Sequence, residues 1–323
     1  MDLFTLTGVG WRPKLGSLLM ALVGLSPLAV PTRSEAADTC GRVYVVNADN
    51  ELLRLQRSAE LLARDGADER DRNRRLDIRA RKTITGLADG ESLIGVDFRP
   101  SNGLLYGVGR IGADPASLGQ LYTIDVDSGL ATAVGSRLIP LNGNAFGVDF
   151  NPVPDLLRIV SDLGQNIRVR PLDGAVAGTD TNLAYPALGD PNSVRTPRVV
   201  AVAYTNPDAD LQTNTVLHDL DVDRAADVDP GRVGDVLAIQ VPPNAGALNT
   251  AGRLGIDADD LAAFDIGPDN EPLAAILPVG QEFSRLYFID LASGDATDLG
   301  RIGQGELVVG LSIQVGPACV AAK

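Results

Sequence analysis

Histidine is nearly missing from this 323-residue chain: His218 is the single example, accompanied by two cysteines, one tryptophan and 4% aromatic residues. One imidazole cannot build a His-ligated metal centre, and a Ser-His-Asp triad would rest on His218 alone. In "TVLHDLDVD" that residue reads as a strand or turn histidine. The shortage of aromatics counts against stacking on sugar rings. Lysine is also scarce, with Lys14, Lys82 and Lys323 the complete set. Acids outnumber bases 42 to 28, a net charge of −14, which removes nucleic acid from the expected partners because phosphate binding needs a net basic face. Walker, H-E-x-x-H and G-x-S-x-G motifs are absent. "GVGRIG" (Gly107–Gly112) has no helix after it and reads as the end of a strand.

Long apolar runs are confined to "LGSLLMALVGLSPLAV" (Leu15–Val30), which follows Arg12 and Lys14 and gives way to "SEA". That order reads as a secretory signal peptide cut after Ala36 or Ala37. Gly24 and Pro27 interrupt the run, and it falls short of the about 20 apolar residues a membrane span requires. The expectation is a signal peptide over 1–36 and a single exported, monomeric domain over 37–323, without a transmembrane segment after cleavage. Its destination is extracellular, periplasmic or the cell surface. "ADT" before Cys40 lacks the apolar residue of a lipid-attachment box. Cys40 and Cys319 stand near the two mature ends, and an even count in an exported protein predicts a disulfide.

What is present is a repeat. "GVDF" occurs at Gly95–Phe98 and Gly147–Phe150, with related strands "AVAY" at Ala201, "AFDI" at Ala263 and "GLSI" at Gly310, spaced by 52, 54, 62 and 47 residues. Pro-containing turns follow, then apolar strands such as "LLYGVG" and "LLRIV". "LYTIDVDSGLATAVG" (Leu121–Gly135) matches "LYFIDLASGDATDLG" (Leu286–Gly300) at nine of fifteen positions, each two strands around a Ser-Gly turn. Four short strands in about 50 residues are the signature of a propeller blade. The fold class is therefore all-β, a propeller of five four-stranded blades, with six the alternative count. Four blades begin at Gly95, Gly147, Ala201 and Ala263. The fifth combines "LVVGLSIQV" from the C-terminus with "RVYVVNADNELLRLQ" and "RARKTITGL" from the N-terminus, and Cys40–Cys319 would staple that closure.

The stretches "TITGLADGESLIGVDFRPSNGLLYGVG", "FGVDFNPVPDLLRIVSDLGQNIRVRPLDGAVAGTDTNLAY", "VVAVAYTNP" and "PPNAGALNTAGRLGIDADDLAAFDI" resemble the domain-of-unknown-function family numbered 4394, found in secreted or surface bacterial proteins. The resemblance runs over roughly residues 42 to 315 and implies a propeller-like secreted domain, with no activity or catalytic residue to carry over. Two stretches depart from the pattern: an Arg-rich insert, 57–77, and the acidic "DLDVDRAADVDPG" (Asp219–Gly231). In Arg64–Lys82 five acids interleave with eight bases, which reads as a solvated surface loop. The acidic stretch is not an EF-hand, since Arg224 and Pro230 occupy the positions that need Gly and Glu; a looser oxygen-ligand calcium site stays open.

The repeat also selects candidate site residues. Two positions after each first-strand Gly or Ala stand Asp97, Asp149, Ala203, Asp265 and Ser312; four positions before it stand Glu91, Gly143, Pro197, Asp259 and Glu306. First strands line a propeller's channel, so these acids are candidate cation ligands at two depths. The plainer reading of Asp97, Asp149 and Asp265 is hydrogen bonding to N–H groups between blades. A third candidate is "SDLGQN" (Ser161–Asn166), where Asp162, Gln165, Asn166 and nearby Arg168 could contact a ligand or, equally, satisfy their own turn. Two functions follow. One is a non-catalytic binding module for a protein, glycan or surface component, requiring no cofactor. The other is a metal-dependent, lactonase-like hydrolase with a calcium-type ion on Glu91, Asp259 and Glu306.

Overall fold

The computed structural model describes residues 39–320 other than 64–73, 113, 137, 209, 211 and 224–233. The signal-peptide reading, and the acidic stretch after Asp223, lie outside the described residues. Within them the short strands sort into five antiparallel blades around a channel.

Blade 1 comprises Glu91–Phe98, Leu105–Ile111, Ala116–Ile124 and Ala131–Ala133. Blade 2 is Phe146–Asn151, Leu156–Ser161, Asn166–Val169 and Val176–Thr179. Blade 3 is Val199–Tyr204, Leu217–Asp221, Val236–Gln240 and Leu248–Arg253. Blade 4 is Ala258–Ile266, Pro272–Pro278, Arg285–Ile289 and Ala296–Ile302. Blade 5 takes its inner strand, Val308–Ile313, from the C-terminal end and the other three, Arg42–Asn47, Glu51–Arg57 and Ala80–Thr83, from the N-terminal end. The mixed-terminus closure and the count of five are as the repeat predicts. A Cys40–Cys319 disulfide, with Cα atoms 5.5 Å apart, covalently joins the two halves of blade 5.

The recurrent small residue of "GVDF" has a steric cause. A Cβ added to Gly95 would lie 2.7 Å from Val148 Cγ2 of the next inner strand, and one on Gly147 would lie 2.8 Å from the backbone N of Val202. With five blades the inner strands converge so closely that only Gly or Ala fits there. Outside this ring, apolar residues of neighbouring blades interdigitate. Phe98 and Tyr122 pack at the seam of blades 5 and 1, Phe150 and Ile159 at that of blades 1 and 2, and Phe264 and Leu220 at that of blades 3 and 4.

Two strands exceed the four-per-blade pattern. Ile139–Asn142 pairs with the start of the long third strand of blade 1, and Arg75–Leu76 adds a parallel fifth strand to the outer edge of blade 4. The latter belongs to the stretch expected as a surface insert. Its described ends are anchored instead: Leu61, in the short helix Ser58–Leu62, and Leu76 are both buried among blade 4 and 5 side chains. The charge pattern hid Leu76, a single apolar residue in the strongly charged "RRLD".

Candidate functional site: the channel and its mouth

The inner strands divide the channel into three levels. At their N-terminal ends lies the mouth, a cavity of about 240 Å³. Leu93, Ile94, Phe146, Leu261 and Val309 give it apolar walls, and Asn144, Asp259 and Asp260 give it polar groups. Asp259 Oδ1 accepts the N–H of Asp260 at 2.7 Å, and the Asp260 carboxylate receives Arg198 Nη2 at 2.8 Å. Below the mouth, Gly95, Gly147, Ala201, Ala263 and Gly310 draw the strands together, leaving about 10 Å³, room for about one water molecule.

Beyond this waist is the acidic floor. Asp97, Asp149 and Asp265 bring carboxylate oxygens within 4.8 Å of one another, the one such cluster among the described residues. Each is 3–5% exposed and ties its blade to the next. Asp97 Oδ2 accepts the N–H of Phe150 at 2.7 Å, Asp149 Oδ1 that of Tyr204 at 3.1 Å, and Asp265 Oδ2 that of Ile313 at 2.6 Å. Ser312 Oγ continues the series by accepting the N–H of Phe98 at 2.9 Å and donates to Asp97 Oδ1 at 2.8 Å. Ala203 has no acceptor to offer, so the N–H of Ile266 turns to Asp265 Oδ1, 2.6 Å away. The ring of inter-blade bonds is thus broken at one seam.

Electrostatics at this floor favour protons. Burial pushes the Asp97 carboxyl up to about 7, against the opposing N–H bond from Phe150. Asp149 and Asp265 are raised well above the ordinary carboxylate value, first by burial and then by repulsion from Asp97, to which Asp265 adds at Asp149. Like charges at this spacing cannot all persist without a proton or a cation between them.

Glu91, Asp259 and Glu306 do not converge on a common point. The Glu91 carboxylate is bonded to the Tyr122 hydroxyl and, at 3.1 Å, the N–H of Ala88. Glu306 is held by Arg81 Nη2 at 2.6 Å and Asn47 Nδ2 at 3.1 Å. The equivalence of these positions in the repeat does not extend to where their side chains bond, because the loops beside each inner strand differ.

The loop candidates are likewise engaged internally. Asp162 Oδ1 accepts the N–H of Asn144 at 2.8 Å; Gln165 accepts from Asn142 N–H at 2.9 Å and donates to Pro140 O at 2.8 Å. Arg168 grips Asp180 with two bonds of 2.8 Å. Asn166 donates to Thr181 O and Pro243 O, and accepts from Arg158. Arg158, 1% exposed, also reaches Tyr204 Oη and Asn244 Oδ1, each at 2.7 Å, forming a polar wall between blades 2 and 3. No sequence signal marked it, since its strand, "LLRIVS", reads as apolar. His218 is buried in its blade 3 strand, and burial lowers its pKa to about 4, so it is neutral at pH 7.

Five blades, a stapled seam, a narrow waist and an open mouth define a small β-propeller. The chain belongs to the family of the Domain of unknown function (DUF4394), whose model matches residues 69–312. Among curated proteins none matches the chain in sequence. Similar solved structures include a protein from Lactobacillus plantarum, at 15% identity and TM-score 0.38, covering 84% of this chain and 71% of that one. A provisionally assigned 6-phosphogluconolactonase from Bacteroides uniformis is similar at 14% identity and TM-score 0.38, covering 83% and 72%. An oligogalacturonate lyase in complex with manganese follows at 11% identity and TM-score 0.36, covering 81% and 62%. At scores this low the likenesses carry no argument about activity.

Proposed function

We propose that this protein is an exported, monomeric, non-catalytic binding module whose channel mouth takes an amine or guanidinium carried on an apolar body, presented by a protein or surface partner. The observation that carries this reading is the mouth cavity of about 240 Å³, with apolar walls beside the Asp259 and Asp260 carboxylates. Apolar walls with a few placed polar groups are the general make-up of ligand sites. The charge of −14 steers cationic partners toward the protein at low salt. Export is supported by the disulfide and by the sequence of residues 1–36. No described helix is long and apolar enough to cross a membrane.

The test is a calorimetric titration with hexylamine and phenethylamine, with cyclohexanol as the uncharged control. Both amines are expected to bind, and Asp259→Asn to weaken them about tenfold, the worth of one charge-assisted hydrogen bond. Equal binding of cyclohexanol, or amine binding indifferent to Asp259→Asn, overturns the reading.

The floor carboxylates favour a second reading, a cation on Asp97, Asp149 and Asp265. An ion there would be structural, since the waist of about 10 Å³ separates it from anything seated at the mouth. Calcium at 100 times its dissociation constant would then stabilise the fold by about 2.7 kcal/mol over EDTA; identical melts with calcium and with EDTA would sink this reading.

A further inference from the structure

Blade 5 concentrates positive charge on one side of an acidic molecule. Strand register sets Arg42 opposite Arg57 and Tyr44 opposite Arg54, while the N–H of Arg79 donates to Arg54 O at 2.7 Å. These four arginines line a groove of about 360 Å³ in which Glu60 is the sole acid among the described residues. Arg79 also belongs to an adjoining groove of about 510 Å³, where Arg75 and Arg81 join it and Asp77 is the acid.

Six arginines elsewhere are matched within the fold: Arg99 with Asp155, Arg158 and Arg168 with Asp180, Arg195 with Asp221, Arg198 with Asp260 and Arg285 with Asp298. Arg54, Arg57, Arg75 and Arg79 make no ion pair with any described residue. Four unmatched guanidinium groups sharing two connected grooves form a track of donors. Each guanidinium presents a planar fork that fits carboxylate or sulfate oxygens in pairs, which an ammonium does not. The grooves are lined by Leu55, Leu76 and Ile78 but by no aromatic ring, so nucleobases would find no stacking platform.

We propose that this arginine track binds a linear acidic polysaccharide, with carboxylate or sulfate groups on successive sugars seated on Arg54, Arg57 and Arg79 and continuing to Arg75. Repetition of anions along a chain matches two adjoining grooves better than one small ion does. A disulfide fits an oxidising compartment outside the cytoplasm, where such polymers are met. The rest of this acidic surface repels the polymer, which confines contact to this side and makes it salt-sensitive. The track is independent of the channel mouth, whose lining shares no residue with it.

The test is binding of the full, disulfide-bonded protein to polygalacturonate and to heparin, followed by calorimetry at about 50 and about 300 mM NaCl. Binding is expected at low salt, weakening at least about tenfold at the higher salt. Arg54→Gln/Arg79→Gln should reduce low-salt affinity at least about tenfold, Arg54→Lys/Arg79→Lys should fall between, and Arg253→Gln on blade 3 should bind as the parent does. Unchanged melting temperatures of these surface variants establish that loss of binding is not loss of fold. Failure of both polymers to bind at low salt, or undiminished binding by the double Gln variant, overturns the proposal. So does single-stranded DNA or a phosphatidylglycerol vesicle binding more tightly than either polysaccharide and being lost in the same variant. The amine titration at the mouth has no bearing on these outcomes, so either reading can fail alone.

Discussion

At the scale of the residue, the acidic floor makes a pH prediction whose sign is set by burial. A carboxyl whose folded pKa is raised binds its proton more tightly in the folded than in the unfolded state. Its contribution to stability is full below the ordinary value of 3.8 and is lost as pH rises through the folded value, about 7 for Asp97. Asp219 acts in the same direction: it is fully buried in blade 3, neither carboxylate oxygen has a hydrogen-bond partner among the described residues, and burial raises its pKa well above the ordinary value. The melting temperature is therefore expected to be higher at pH 5 than at pH 8, against the common expectation that paired carboxylates lose stability in acid. Asp149→Asn keeps an oxygen to accept the Tyr204 N–H while removing one buried charge. At pH 8 it should raise stability by roughly 1–2 kcal/mol, a few degrees in a melt for a chain this size. A melt at pH 8 that instead drops would mean the charge at Asp149 is used, as it would be on an ion.

At the scale of the element, the inner strand is the most constrained part of the blade. It must be small at the waist, acceptor-bearing two residues later, and apolar between. Gly147→Ala places a methyl 2.8 Å from the backbone N of Val202, an atom that cannot rotate away. Separation of blades 2 and 3 at the ring should cost about 1–3 kcal/mol, the usual penalty for overpacking, read as a lower urea midpoint at unchanged slope. The same substitution at an unconstrained loop position would leave the midpoint within experimental scatter.

At the scale of the whole molecule, a propeller has no edge strand at its centre only if its ends are joined. Here one strand of blade 5 comes from the C-terminal end and three from the N-terminal end, and Cys40–Cys319 spans 279 residues of sequence. In the chain-entropy model a cross-link of that span constrains the unfolded chain by about 5–6 kcal/mol. Cys40→Ser/Cys319→Ser is expected to lose up to that amount, measured by denaturant unfolding of the oxidised parent and the variant side by side. Reduction of the parent should reproduce the variant. If neither differs from the oxidised parent, the hydrogen bonds of Val43 to Asn47 with the inner strand close the ring without it.

The sequence by itself determined the blade starts and the way the ring closes, and favoured five blades over six, because these rest on local features repeated in register: a small residue, a short polar acceptor and a turn, every 47 to 62 positions. It also placed Asp97, Asp149 and Asp265 at one level, since equal strand positions in successive blades come to equal depth. Only the tertiary structure decided what each side chain meets. Glu91 and Glu306 occupy equivalent repeat positions yet bond to Tyr122 and Arg81, because the loops around them are not repeated. Asn166 and Arg168, polar on paper, go to Arg158 and Asp180 in or beside a seam between blades. Arg54, Arg57, Arg75 and Arg79 lie in or beside a charged insert in sequence and form a track only once the outer strands of blade 5 and the strand Arg75–Leu76 come together. Burial, like repulsion between charges, depends on neighbours that are distant along the chain, and the repeat encodes position around the ring but not those neighbours.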